Sequence, residues 1–395
     1  MRRHSPAPGI RRRWRRSAAA LAPIALVGAS VVAAPAGASP PAPAAPLAVS
    51  ATTTAGSWVS VPMGHLNDPL NTFWELFYRP LGSSSWTLVT PQGVADNGGL
   101  VLDTTSGSAI VGFEPSQDLK LSPLAASSNG GAAWNPGLVP QELAAAPDAL
   151  AGSPSIDPVA LVRSDGGQVL SLSPSLTSSH PLTSGTDLAA TAAGRACGMA
   201  RLTAVGVDSL GHLLLGSSCT HKGQAGVFEN LSGTTWSSAG ASVPTQFSSS
   251  RVVRLTASTS GTSALLEAAT AAGHSALLAS WREQESLTWL ESTPLALASP
   301  GALVASGTDG SGGYVVLTQK KGGGLAVERI ERGGAWETFA APPAGTEAIV
   351  ADGSGGLDAI AVSGARFTDW ALAQGATSWV KGQSIEVPIE YGSSN

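Results

Sequence analysis

Apolar and polar residues alternate with a period of two in six separate segments, each broken in its middle by Gly, Ser or Asp. They read LVLDTTSGSAIVGF (100–113), VALVRSDGGQVLSL (159–172), LTAVGVDSLGHLLL (202–215), RLTASTSGTSALLE (254–267), LVASGTDGSGGYVVL (303–317) and AIVADGSGGLDAIAV (348–362). Such alternation about a Gly-bearing turn predicts a β-hairpin in each segment.

A second motif interleaves with these hairpins: an apolar stretch, a short polar turn, a small or hydroxyl residue, then Trp, with Pro a few residues on. Its copies span 73–91, 125–140, 227–244, 278–294, 327–343 and 370–388. The anchors Trp86, Trp134, Trp236, Trp289, Trp336 and Trp379 are separated by 48, 102, 53, 47 and 43 residues. The longest gap is two periods, which places a unit without its Trp near residue 185. One hairpin plus one Trp-bearing hairpin makes four strands per period of about 50 residues, the size of a propeller blade. The expected fold is therefore all-β: a β-propeller of seven four-stranded antiparallel blades, forming one domain over residues 57–395. Six or eight blades stay compatible, because the unit at 173–200 is weakly marked. The repeat region opens on FWELFYR and SWTLV without a full hairpin before them and closes on SIEVPIEY (384–391). A composite blade built from both termini is expected to close the ring and leave no long free edge. The repeat tryptophans, with Trp74, Trp281 and Trp370 on the strands before them, are expected to pack between blades.

Charge changes the picture at one end. Only 12% of the 395 residues are charged, too few for a coiled coil. Seven of the basic residues, Arg2, Arg3, Arg11, Arg12, Arg13, Arg15 and Arg16, precede an apolar run from Ser17 to Ala34 and the small-residue site Ala36-Gly37-Ala38. That order reads as a secretory signal over 1–38, and Pro23 argues against a membrane-spanning helix. A Pro/Ala/Thr-rich linker is expected over 39–56. Removing the signal leaves 15 basic residues against 27 acids, a net charge near −12. Such a surface repels phosphate backbones and anionic lipid, so nucleic acid and membrane are not expected partners. The expected location is secreted or cell envelope, with a monomeric chain. Oxidising surroundings make Cys197 and Cys219 a disulfide, and the turn DSLG (208–211) would fold 201–207 back on 212–218 to bring them together.

The stretch SSNGGAAW (127–134) resembles the Asp-box of BNR/sialidase-type propellers, S-x-D-x-G-x-T-W. Ser127, Gly131 and Trp134 match, while Asn129 replaces the Asp and Ala133 the Thr. Elsewhere only the tail fits: Gly233, Thr235 and Trp236, then Thr288 and Trp289, then Gly333 and Trp336. Such a box is a turn device, its Ser and Asx side chains bonding turn amides and its Trp packing between sheets. Sialidases of that family need an arginine clamp and a Tyr/Glu nucleophile pair. Tyr78-Arg79-Pro80 is the nearest string to the clamp motif and lacks its Ile, and neither Tyr314 nor Tyr391 is placed as an evident nucleophile.

Other chemistry is equally unsupported. His65, His180, His212, His221 and His274 are scattered without zinc-hydrolase spacing, and no nucleophile elbow or Walker loop occurs. The DGSGG strings at 309–313 and 352–356 read as hairpin turns, not calcium loops. No catalytic residue, metal or cofactor is expected. Ligands of such propellers usually bind on the face bearing the connections between blades and the loops between second and third strands. The candidates there are Asp96, Asn97, Glu114, Asp118, Asp157, His221, Lys222, Arg251, Lys320, Lys321 and Arg366, joined by His65 and Asp68 from the N-terminal string MGHLNDPLNTFWELFYR (63–79). Mixed charges at a channel mouth suit a glycan or a peptide segment. The expected function is a non-catalytic binding module for a glycan or protein ligand. The alternatives are a diverged sialidase-like hydrolase or lyase and an envelope assembly or scaffold factor.

Overall fold

The computed structural model describes residues 47–66, 71–91, 96–105, 107–115, 124–137, 148–153, 156–162, 167–208, 210–232, 235–258, 260–284, 286 and 288–388. The signal expected over 1–38 lies outside them, as does Asp68.

Strands follow one another as antiparallel meanders. The first comprises β1 (Ala48–Thr52), β2 (Gly56–Gly64), β3 (Thr72–Pro80) and β4 (Thr87–Leu88). The second comprises β5 (Asp96–Thr105), β6 (Ser108–Pro115), β7 (Leu124–Ser127) and β8 (Asn135–Pro136). In the third are β9 (Ala149–Ser153), β10 (Ile156–Val162), β11 (Gln168–Leu172) and β12 (Ser179–Ser184). Two short helices, α1 (Gly185–Ala190) and α2 (Ala192–Cys197), lead to the fourth, β13 (Met199–Val207), β14 (Leu213–Cys219), β15 (Gly226–Ser232) and β16 (Thr235–Ser238). The fifth holds β17 (Phe247–Ser258), β18 (Gly261–Thr270) and β19 (Ser275–Glu283), with β20 (Trp289–Glu291) and β21 (Leu295–Ala296) both paired to β19. The sixth is β22 (Leu303–Thr308), β23 (Tyr314–Gln319), β24 (Leu325–Ile330) and β25 (Glu337–Thr338). The last is β26 (Thr346–Ala351), β27 (Leu357–Ser363), β28 (Arg366–Leu372) and β29 (Val380–Glu386).

Four of the five core clusters each join sequence-adjacent meanders, as face-to-face sheet packing requires. One cluster holds Leu124 with Leu170 and Leu176, another Leu161 with Leu215 and Phe228, a third Leu214 with Val252 and Leu266, and a fourth Leu265 with Tyr314 and Val316. The largest cluster spans both ends of the chain, with Phe77 stacked on Phe367 at 4.1 Å between ring centres. Trp58, Trp86 and Trp281 are fully buried, and Trp134, Trp236, Trp289, Trp336 and Trp379 half-buried. In the third meander the turn without Trp puts Leu176 in the core instead, in a left-handed conformation.

Three expectations are corrected. Residues 48–52 belong to no linker: they are β1, the innermost strand of the first meander. No composite sheet closes the structure, because the first and last meanders each own four strands. They are joined side by side by a Gly64–Gly364 backbone bridge, an Arg79–Asp358 ion pair and both amide atoms of Gln383 on the Trp86 backbone. Finally, the hairpin 159–172 is β10–β11, second and third strands, whereas the other five hairpins join first and second strands.

The inner strands converge unequally. β1 pairs in parallel with β22, Ser50 opposite Gly307, while the Ser50 and Thr52 hydroxyls donate to Ile349 O and Ala351 O of β26. Three inner strands thus close one side of the axis, leaving β5, β9, β13 and β17 around the other.

Candidate functional site

The polar wall of the axis is built on a β-bulge. In a regular strand the arginines of Arg251-Val-Val-Arg254 would face opposite ways. The register of β17 on β18 shifts between Val252 and Arg254, so Arg251 lies opposite Glu267 and Arg254 opposite Leu265, on one face. Arg251, nearer the strand start, pairs with Glu267, whose other oxygen accepts the Gly301 N–H. Arg254, farther in, reaches β22 and donates Nη1 to Ser306 O at 3.1 Å.

Asp103 on β5 shares that interior. Its carboxylate accepts the backbone N–H groups of Gly152 on β9 and Thr104 and feels the charge of Arg254 without forming an ion pair with it. Burial pushes its carboxyl up to about 7, against the pull of Arg254 and the two amides. Both residues lie deep in the fold and keep partial exposure. At the start of β26, half-buried Glu347 is likewise pushed up to about 7 by burial.

The residues chosen from sequence do not assemble into one constellation. His65, His221, Lys222, Lys320 and Arg366 lie at or beside turns between second and third strands, and all are exposed. His221 Nδ1 sits 2.8 Å from Ala196 O, and Arg366 pairs with Glu386 on the outermost strand. Asp96 and Asn97 open β5 at the same end of their meander. Asp157 is misplaced by the shifted hairpin: it follows the β9–β10 turn, at the opposite end of the strands, and is exposed there. Cys197 and Cys219 form the expected disulfide, which ties the end of α2 to the end of β14.

Close carboxylates occur elsewhere, sealed between sheets. Asp208, His212 and Glu229 bring their ligand atoms within 4.8 Å of one another. Arg282 of the next meander already fills the space between the acids, with Nη1 and Nη2 2.9 and 3.0 Å from the two Glu229 oxygens and Nη2 3.4 Å from Asp208. The guanidinium takes the place a cation would, so the donor set does not fit a resident metal. Between the last and first meanders, Arg79 holds Asp358. Burial, then the charge of Asp358, raises the neighbouring Asp369 to about 7.

These arginines share a device the sequence reading missed. Arg79, Arg282 and Arg329 end third strands and lie over Trp86, Trp289 and Phe339, at 4.7, 5.5 and 5.4 Å from the ring centres. The signal was present: each stands seven residues before a repeat Trp, namely Trp86, Trp289 and Trp336.

In the turn at 127–134, Ser127 Oγ accepts the Gly131 N–H and Asn129 Oδ1 accepts the Ala133 N–H, each at 3.0 Å. No family model matches the chain, and no curated protein does. Among solved structures it is similar to a Bacteroides fragilis protein provisionally named a 6-phosphogluconolactonase, with 14% identity over 85% of this chain and 96% of that one and a TM-score of 0.50. The BP39L lectin of Burkholderia pseudomallei aligns at 14% identity over 86% and 98%, with a TM-score of 0.47. YCF48 bound to D1 peptide aligns at 11% identity over 80% and 91%, with a TM-score of 0.42. The first likeness shows the β-propeller fold and nothing of activity.

Proposed function

We propose that the chain is an exported seven-bladed β-propeller of the degenerate Asp-box kind, acting as a non-catalytic binding module for a cell-envelope or extracellular glycan. One observation carries the reading. Among the described residues the axial wall offers one carboxylate without an arginine in direct contact, Asp103, near the guanidinium of Arg254, while the other, Glu267, is held by Arg251, whereas retaining or inverting glycoside hydrolysis needs two available carboxylates about 5–9.5 Å apart flanking the bond. The close acid pairs among the described residues are locked by Arg282 and Arg79 between sheets. A scaffold role gains no support from the exposed apolar residues among those described, since Leu66 and Leu81 flank opposite ends of β3 and Leu182, Leu210, Leu290 and Val380 belong to four other meanders. The test is a glycan array on the purified chain beside a panel of chromogenic glycosides. Binding without turnover is expected, and turnover abolished by Asp103→Asn would overturn the reading.

A further inference from the structure

Among the described residues, no carboxylate touches Arg254. A guanidinium stays protonated at any accessible pH and presents five N–H donors. Among the described residues it makes one hydrogen bond, to Ser306 O, and no ion pair. Burial disfavours its charged form, relieved only at a distance by Tyr314 and Asp103. A half-buried guanidinium with no carboxylate in contact is held at a cost, and an anion delivered to the remaining donors would offset it. Neither nearby carboxylate contacts it: Asp103 accepts two backbone amides and keeps further lone pairs, and Glu267 is occupied by Arg251 and the Gly301 N–H.

We infer that Arg254 is the anion-binding residue of the axial site, receiving the carboxylate of a uronic-acid residue in the bound glycan, with Asp103 facing an adjacent sugar hydroxyl. This rests on the glycan-binding reading above. A uronate suits the pair because it carries a carboxylate and hydroxyls on one small ring. With its carboxyl raised to about 7, Asp103 can donate to a hydroxyl as well as accept from it. A planar fork favours carboxylate over an unspecific anion. The bulge sets Arg251 on the same face, nearer the strand start, so a ligand entering from that end meets a paired arginine before the unpaired one.

The experiment is calorimetric titration of the full mature chain with a short hexuronic-acid oligomer, its carboxyl-reduced neutral counterpart and a polyglutamate peptide. Wild type, Arg254→Gln, Arg254→Lys and the distant control Arg332→Gln are compared. The expected result is at least tenfold tighter binding of the acidic sugar than of the neutral one. That preference should vanish in Arg254→Gln, fall severalfold in Arg254→Lys, which keeps the charge but loses the fork, and persist in Arg332→Gln. Should Arg254→Gln fail to fold, the lysine variant and the acidic-to-neutral ratio in wild type still decide. Equal binding of both sugars would overturn the inference and leave the glycan reading standing. Binding of neither sugar would overturn both. Arg254-dependent binding of polyglutamate alone would overturn the sugar assignment in favour of an acidic protein segment.

Discussion

Trp134 donates its indole N–H to the carbonyl of Val89, 2.7 Å away at the end of the preceding sheet. Trp289 does the same to Ala239 O at 2.7 Å, Trp336 to Thr293 O at 3.1 Å and Trp379 to Ala340 O at 3.2 Å. In these four copies the repeat Trp is therefore a staple between neighbouring sheets as well as a packing unit, which explains Trp where Phe would fill much of the same space.

Trp134→Phe keeps most of the burial and leaves Val89 O without its donor, a loss of about 1–3 kcal/mol. Trp134→Ala removes the ring as well and should cost about 3–5 kcal/mol. Urea denaturation of both variants, beside the Trp289 pair, checks this. Equal stability of Trp134→Phe and wild type would show that packing alone accounts for the residue.

The disulfide closes a sequence separation of 22 residues and anchors α2, the end of the connection between the third and fourth meanders. Loop-closure entropy for that length puts the loss in the Cys197→Ser/Cys219→Ser double variant at about 3 kcal/mol. Reductant should destabilise wild type in a denaturant titration and leave the double variant unchanged.

What could be read in the sequence was whatever repeats along it. Hairpins with a polar turn and the Trp spacing emerged because each unit solves the same packing problem. β1, AVSAT, and β9, ALAGS, escaped because inner strands crowd the axis and tolerate small residues, so their composition imitates a linker. Missing β9 shifted one hairpin by a strand and sent Asp157 to the wrong end. The axial pair was hidden for a different reason: Arg254 and Asp103 are 151 positions apart, and a one-residue register shift decides which way Arg254 points. Nothing local in the sequence announces that shift.

Stability should depend on pH through Asp369. Its folded-state carboxyl, raised to about 7 first by burial and then by Asp358, holds a proton that the unfolded chain releases near its ordinary 3.8. The folded state thus binds more protons between those values, so this group makes stability fall as pH rises from about 4 to about 7 and level off above. The full shift corresponds to about 4 kcal/mol as an upper figure. Asp369→Asn should be more stable than wild type at pH 8 and similar at pH 4. Melting curves across that range test it, and a difference independent of pH would exclude Asp369 as the titrating group.

Gly307 has no room for a side chain on the closed side of the axis. A Cβ there would overlap Ser50 Oγ and come within 2.9 Å of Val315 Cγ1 and 3.1 Å of Ile349 O. Gly307→Ala must therefore push β1 away from β22, breaking both the parallel ladder and the Ser50 bond to Ile349 O, a loss of about 1–3 kcal/mol typical of overpacking. Ser50→Ala alone should cost about 1 kcal/mol, the value of one buried hydrogen bond. Because the overlap is with that hydroxyl, the double variant should be less destabilised than the sum of the singles. Strict additivity in the double-mutant cycle would show that Gly307 is required for some reason other than the close approach of β1.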